Sequence, residues 1–171
     1  GCKSCIIGHS EIRRYKSETD EIVSKKFEML IDNGISPILC VGESEIDYKS
    51  GKTLEIINEQ LKRVIEIVGH SAKKMNGLPI YIAYEPEWCI GSGKTPTNDK
   101  LEIIFAWINA QIQKYSPISN WQFLYGGSVD IENAARIGQI SYVNGFLIGK
   151  TSTKFELFEK IVKSTILENN S

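Results

Sequence analysis

Five short apolar runs recur along the chain, and four of them end in glycine. They span residues 4–8, 38–42, 80–84, 123–127 and 145–149. Runs of this length that are apolar at nearly every position are typical of strands buried on both faces of a sheet. We therefore predict five buried strands.

The segments between these runs carry apolar residues on one helical face. One predicted helix begins at Thr19 and ends at Gly34, and apolar stripes over residues 54–68 and 101–112 predict two more. Residues 153–156 have the Thr-x-x-Glu pattern of a capping box, which predicts the start of a C-terminal helix. The stretch between His9 and Thr19 is polar and is predicted to be a loop.

The alternation of strands and helices predicts an α/β fold in which helices cover a parallel sheet. Such a sheet is either doubly wound or closed into a barrel, and no Gly-x-Gly-x-x-Gly fingerprint favours the first. Both architectures bind ligands at the carboxyl ends of their strands. His9, Glu11, Glu43 and Glu85 all follow predicted strands, and residues 126–128 and Gly149 lie at the carboxyl ends of two more. We expect these residues to converge on one face.

Composition and charge narrow the possible partners. The 171 residues have a net charge of −1, and charges of both signs are scattered along the chain, so we predict no nucleic-acid partner and no membrane partner. This length suits a single domain over residues 1–171. The four cysteines lack ligand-like spacing with the two histidines, which argues against a disulfide framework and a zinc site and indicates a reducing, cytoplasmic location.

Residues 80–95 concentrate the candidate chemistry. An apolar run places Glu85 at a strand end, and the following proline favours an extended backbone at Glu85. Trp88 comes next, and then Gly91 and Gly93, a composition that suits a mobile segment whose backbone N–H groups approach a ligand. We interpret Glu85 as a general base that is followed by a lid.

Each candidate also has a structural interpretation. A glutamate at a strand end is, in isolation, more often a solvated surface acid, and an isolated histidine such as His9 more often satisfies nearby backbone in a turn. Glu43 is expected to be a structural hydrogen-bond partner. Glu11 stays divided between a supporting catalytic role and a structural one. The surrounding motifs therefore decide the interpretation.

Five motifs resemble those of the triosephosphate isomerase family in order and approximate spacing. They are Gly8-His9-Ser10-Glu11, Cys40-Val41-Gly42-Glu43, Ala83-Tyr84-Glu85-Pro86 with Gly91-Ser92-Gly93-Lys94-Thr95, Tyr125-Gly126-Gly127-Ser128-Val129, and Gly145-Phe146-Leu147-Ile148-Gly149. The resemblance covers the whole chain and corresponds to strands four to eight of an eight-stranded barrel. It implies an incomplete (β/α)8 TIM barrel of about five βα units.

The resemblance also implies an activity, the interconversion of dihydroxyacetone phosphate and glyceraldehyde 3-phosphate through an enediolate, with no cofactor and no metal. By this resemblance Glu85 is the base that moves the proton, His9 is the neutral imidazole that polarises the carbonyl, and Glu11 is a further catalytic residue. The implied phosphate-binding residues are Gly91, Ser128, Gly149 and Lys150. Full-length members are expected to be homodimers of glycolysis and gluconeogenesis.

Three features depart from the family pattern. Ile12 stands where the family has the first of two arginines, so we expect an ion pair that braces the His9 loop to be lost, with Arg14 as a substitute. Lys150 replaces a glycine, and its side chain either adds affinity for phosphate or obstructs the site. The family's active-site lysine belongs to the first barrel strand, and no residue of this chain matches it.

Two hypotheses of different kinds follow. The first is that the chain is the C-terminal part of an isomerase with impaired activity, because five units cannot close an eight-stranded barrel and leave strand edges unpaired. The second is a non-catalytic remnant that binds phosphate or associates with another chain. A different phosphate-handling barrel enzyme is a weaker third hypothesis, because an unrelated barrel would not carry the motifs of both His9 and Glu85.

Overall fold

Five parallel strands form the centre of the computed structural model, which describes residues 1–75, 77–115 and 120–168. The strands are β1 (Ser4–Ile7), β2 (Ser36–Val41), β3 (Ile80–Tyr84), β4 (Trp121–Tyr125) and β5 (Val143–Phe146). They lie side by side in chain order, and each pairs in parallel with the next. This arrangement confirms the predicted α/β fold of five βα units.

Helices connect the strands. In the described residues they are α1 (Ser10–Lys16), α2 (Asp20–Asp32), α3 (Glu45–Lys49), α4 (Thr53–Met75), α5 (Asn98–Tyr115), α6 (Ala134–Gly138) and α7 (Phe155–Glu168), with 3-10 turns at Glu87–Cys89 and Lys150–Thr153. The predictions of α2, α4, α5 and α7 are confirmed. None of these helices is long and apolar enough to cross a membrane.

The predicted loop between His9 and Thr19 is wrong, because α1 occupies most of it. This helix has seven residues and buries only Ser10, so it leaves no apolar stripe in the sequence. Its start is stabilised by His9, whose side chain accepts a hydrogen bond from the backbone N–H of Glu11. A short helix held by its cap is invisible to hydrophobic periodicity.

Two predicted boundaries near the C-terminal end also need correction. β5 begins at Val143 instead of residue 145, and it ends at Phe146, so residues 147–149 belong to the following loop. The predicted capping box is wrong, because α7 begins at Phe155, so Lys154 and not Thr153 directly precedes the helix. The N–H groups of Leu157 and Phe158 instead donate to the backbone carbonyl of Lys154.

The core lies between the sheet and the helices that cover it. The apolar stripes identified in the sequence supply it, including Phe27 of α2, Leu61 of α4 and Phe105 of α5, all of which are fully buried. Tyr84 at the end of β3 packs edge-on against Phe105, with ring centroids 6.0 Å apart. The buried apolar residues form one cluster among the described residues.

The sheet is not closed in the described residues. β1 and β5 each have a single neighbouring strand, so one edge of each lacks a partner strand among these residues. Ile6 on β1 is 46% exposed as a result. The fold is therefore a partial barrel, and the loops that matter for function follow the carboxyl ends of its strands.

Candidate active site

Glu85 is held at the carboxyl end of β3. Its backbone N–H donates to the carbonyl of Val41 at 2.7 Å, which extends the pairing of β3 with β2 by one residue. The side chain is only 3% exposed. One carboxylate oxygen accepts a hydrogen bond from the backbone N–H of Ser10 at 3.3 Å, and the other lies 3.3 Å from Nε2 of His9. The predicted base and the predicted electrophile are therefore neighbours.

Two glycines leave the space that Glu85 occupies. A Cβ atom on Gly126, just after β4, would lie 2.6 Å from Cγ of Glu85. A Cβ atom on Gly42, just after β2, would lie 2.0 Å from the backbone oxygen of Glu85. Real Cβ atoms do not approach other atoms so closely, so both strands beside β3 must end in glycine to admit the glutamate.

The two ring nitrogens of His9 face different partners. Its Nδ1 atom accepts a hydrogen bond from the backbone N–H of Glu11 at 3.3 Å. The other ring nitrogen, Nε2, faces Glu85. The contact between Glu11 and His9 runs through the Glu11 backbone, whereas the exposed Glu11 side chain lines the adjoining cavity.

The environment of Glu85 makes it a stronger base than an exposed glutamate. Burial is the largest cause and raises the pKa of its carboxyl group above the ordinary value. His9, the Ser10 N–H and the thiol of Cys40 act in the opposite direction and lower the same pKa. A carboxylate whose pKa is raised toward neutrality is better suited to accept a proton from carbon.

Arg13 braces the loop that carries His9. Its Nε donates to the carbonyl of Gly8 at 2.7 Å, and its Nη1 forms an ion pair with Asp20 at 2.6 Å. The expected loss of this brace, with Arg14 as a substitute, is therefore wrong. Arg14 is exposed and lies 5.5 Å from the ring centroid of Tyr15. The brace depends on which arginine faces α2, a fact of tertiary structure.

The lid begins in the 3-10 turn Glu87–Cys89 and is anchored by Trp88. The indole Nε1 donates to the carboxylate of Glu43 at 3.1 Å, and the indole ring packs on Tyr48 of α3 with centroids 4.3 Å apart. Gly91 and Gly93 both have positive φ, at 65° and 74°, which only glycine adopts readily. The two glycines predicted for a lid are thus required by its backbone.

Glu43 lies beneath Trp88, at the start of the predicted lid, and is not among the residues that line the cavity beside Glu85. It is completely buried and accepts hydrogen bonds from the Tyr84 hydroxyl at 3.2 Å and from Trp88. Burial raises the pKa of its carboxyl group. These contacts support its interpretation as a structural hydrogen-bond partner. The prediction that Glu43 joins the other site residues on one face is only partly correct. Glu43 follows β2, as predicted, but it does not line the cavity that those residues share.

A cavity of about 590 Å³ opens beside Glu85, at the carboxyl ends of the strands. All seven residues predicted for the site line it: His9, Glu11, Glu85, Gly91, Ser128, Gly149 and Lys150. Parallel strands place their following loops at one end of a sheet, which explains why residues so distant in sequence share one cavity. In the described part of the chain, no group of three side chains could hold a metal ion.

Ser128 joins the lid to the loop after β4. Its hydroxyl donates to the Cys89 carbonyl at 2.5 Å and accepts from the Gly93 N–H at 3.1 Å. In this conformation the hydroxyl hydrogen is directed to the lid, so contact with a phosphate requires the hydroxyl to change partners. Gly91 and Gly149 are exposed at the cavity, and nothing lies within 4 Å of a Cβ atom built on either.

Several supporting residues were missed in the sequence. Tyr48 under Trp88, Arg13 behind His9 and the Cys40 thiol beside Glu85 all contact site residues. Glu18 is a fourth, because its buried carboxylate accepts from the Gly8 N–H at 3.2 Å and pairs with Lys26. Cys40 belongs to the Cys40-Val41-Gly42-Glu43 motif and Arg13 comes shortly after Gly8-His9-Ser10-Glu11, whereas Tyr48 and Glu18 lie outside every motif.

Parallel βα units, with a buried carboxylate and an imidazole among glycine-rich loops at the strand ends, are typical of the α/β-barrel class of proteins. Comparison with known proteins narrows this class. Residues 1–165 match the family model described as triosephosphate isomerase. The chain belongs to the triosephosphate isomerase family, a family of isomerases.

Individual relatives agree with the family model. The chain is 41% identical to the triosephosphate isomerase of Histophilus somni strain 129Pt, over 99% of this chain and 66% of the relative. It is 41% identical to that of Haemophilus influenzae strain PittEE, over 99% of this chain and 64% of the relative. It is 38% identical to that of Escherichia coli O1:K1 / APEC, over 96% of this chain and 64% of the relative. The chain thus spans just under two thirds of the length of these relatives.

Proposed function

We propose that this chain supplies the proton-transfer machinery of a triosephosphate isomerase, which interconverts dihydroxyacetone phosphate and glyceraldehyde 3-phosphate. The observation that carries the proposal is the contact of Glu85 with His9, 3.3 Å apart at the wall of a cavity. A base and a hydrogen-bond donor in contact can act on adjacent atoms of one small substrate. One takes a proton from carbon, and the other polarises the neighbouring carbonyl oxygen.

The chemistry follows from the protonation states. Glu85 removes a proton from the carbon next to the carbonyl, and the electron pair moves onto the carbonyl oxygen to give an enediolate. The Nε2–H of His9 donates a hydrogen bond to that oxygen, because Nδ1 is occupied as an acceptor from Glu11. A proton also passes from the hydroxyl oxygen to the former carbonyl oxygen, and return of the proton from Glu85 to the other carbon then completes the isomerisation. No oxidant, reductant or metal enters this balance.

The resting contact between Glu85 and His9 must break when the substrate binds. The Glu85 carboxylate accepts a hydrogen bond from the Ser10 N–H and faces His9. Glu85 and His9 therefore contact each other in the position where each would contact the substrate. A substrate that enters the cavity replaces this contact with one bond to each residue. Closure of residues 91–95 over the phosphate would exclude water, which protects the enediolate from loss of phosphate.

Glu85→Gln is the direct test of this proposal. The purified chain is given glyceraldehyde 3-phosphate, and the appearance of dihydroxyacetone phosphate is coupled to NADH oxidation. The variant keeps the size of the side chain but cannot accept a proton, so we expect the rate to fall by about 10²–10⁴-fold. Glu132→Gln, on an exposed residue outside the cavity, is the matched control and should keep the rate.

The alternative function is a remnant that binds phosphate or associates with another chain. The two unpaired strand edges of the described sheet favour this alternative, because such edges pair readily with other chains. Equal rates for the wild-type chain, Glu85→Gln and a blank would contradict the proposed catalysis and favour the remnant. A cytoplasmic location and a homodimer of the whole protein remain proposals that rest on family membership.

A further inference from the structure

The charges that line the cavity are unfavourable for a phosphate ester. Three carboxylate side chains line it, those of Glu11, Glu85 and Asp130, whereas Lys150 is its sole lysine or arginine within the described chain. Hydrogen bonds from the N–H groups of Glu132 and Asn133 partly offset the charge of Asp130. Even so, a dianionic ligand would meet net negative charge, and repulsion between like charges weakens binding.

Lys150 stands at the rim of this cavity on a backbone that is tied in place. It begins the 3-10 turn Lys150–Thr153, and its carbonyl accepts from the Thr153 hydroxyl at 2.8 Å. The neighbouring Thr151 hydroxyl donates to the Val129 carbonyl at 3.0 Å, which joins this turn to the loop that carries Ser128. The backbone of Lys150 is thereby held beside the other predicted phosphate-binding residues.

The ammonium group of Lys150 is available to a ligand. Across the residues that the structure describes, no ion pair or hydrogen bond uses its side chain, although several other lysines pair with nearby glutamates, as Lys26 does with Glu18. Lysine is a mobile point charge on a long stem, so it can reach an anion across a wide cavity without a fixed geometry.

We infer that Lys150 is the residue that selects a dianionic phosphate ester at this site, by supplying the positive charge that the rest of the cavity lining lacks. This inference rests on the proposed function and assigns the role of the side chain at the same site. It decides between the two effects expected of a side chain at this position, added affinity and obstruction, in favour of affinity.

Binding measurements separate this role from catalysis. Glycerol 3-phosphate is titrated into the purified chain by calorimetry, with glycerol as the uncharged probe. Lys150→Met removes the charge and keeps the stem, and we expect its affinity to be roughly ten-fold weaker, as suits one exposed cation facing a dianion. Lys150→Arg restores the charge and should bind within about three-fold of the wild type. Lys154→Met, at an exposed lysine outside the cavity, is the matched control.

Salt provides an independent readout, because screening weakens an exposed charge contact. The affinity of the wild type should fall between 20 mM and 200 mM salt, and that of Lys150→Met should fall less. Equal affinities for wild type and Lys150→Met, or tighter binding by Lys150→Met, would overturn the inference. Failure of the wild type to bind glycerol 3-phosphate would overturn both this inference and the proposed function. Wild-type binding with no loss of turnover in Glu85→Gln would overturn the function alone.

Discussion

Nε2 of His9 lies 3.3 Å from Oε1 of Glu85, although the two residues follow strands that are not neighbours. His9 follows β1 and Glu85 follows β3, with β2 between them. Gly42, just after β2, allows Glu85 to take this position, because a Cβ atom on Gly42 would lie 2.0 Å from the backbone oxygen of Glu85. A pair assembled across a strand depends on the small residues around it, and these residues give the clearest predictions.

Gly126→Ala should misplace Glu85, the proposed base, while the fold survives. The added Cβ atom would lie 2.6 Å from Cγ of Glu85, so the glutamate must move. A displacement of about 1 Å at a reacting group can cost roughly 100-fold in rate, which is the loss we expect in the isomerase assay. Gly138→Ala is the control, because its Cβ atom meets only ordinary contacts at 3.5 Å and 3.6 Å. Retention of full activity by Gly126→Ala would contradict the placement of Glu85.

The raised pKa of Glu85 predicts a specific dependence of stability on pH. Burial favours the protonated carboxyl group in the folded chain, whereas the unfolded chain ionises near the ordinary value of 4.5. Above pH 4.5 the folded chain holds a proton that the unfolded chain has lost. The free energy of unfolding therefore falls as the pH rises from 4.5 to the raised pKa of Glu85.

Urea denaturation at a series of pH values measures this effect. Glu85→Gln cannot ionise, so its free energy of unfolding should fall less across the same window. Some decline should remain, because burial also raises the pKa of Glu43. Glu132→Gln should show the wild-type slope. A variant Glu85→Gln with the same slope as the wild type would show that Glu85 ionises normally in the folded chain.

Tyr48→Leu should loosen the lid without touching the cavity. The tyrosine ring packs on Trp88 with centroids 4.3 Å apart, and Lys100 Nζ lies 4.3 Å from the centroid of the same tyrosine ring. Loss of an aromatic pair costs about 0.5–1.5 kcal/mol beyond the area that it buries, so the hinge opens more often. Hydrogen exchange of the peptide that spans residues 87–95 should then be roughly three-fold to ten-fold faster.

Tyr15→Leu is the matched control for the lid, because Tyr15 is 70% exposed on α1 and does not contact Trp88. Its lid peptide should exchange at the wild-type rate. Faster exchange throughout Tyr48→Leu, and not in the lid peptide alone, would mean that Tyr48 stabilises the whole fold. Unchanged exchange of the lid peptide in Tyr48→Leu would show that Tyr48 does not help to anchor the lid.

Local patterns in the sequence were sufficient for much of the fold. Apolar runs and one-sided apolar stripes predict strand β3 and helices α2, α4, α5 and α7, because an element with a buried face carries apolar residues at regular intervals. Positions at the strand ends also indicated His9, Glu11 and Glu85, since parallel strands direct their following loops to one end. The resemblance to the family, and not the local pattern, supplied the phosphate-binding assignments of Gly91, Ser128, Gly149 and Lys150. Helices α1, α3 and α6 lacked such a pattern, being only five to seven residues long.

Contacts between distant segments were decided only by the tertiary structure. The sequence suggested Arg14 as the brace of the His9 loop, but Arg13 is the arginine that contacts Gly8 and Asp20. Nothing in the local sequence indicates that Tyr48 lies under Trp88. The charge balance around Lys150 likewise exists only once residues from several loops share one cavity. Local order sets backbone preference and burial, whereas the distances between side chains on which chemistry depends arise when the strands align.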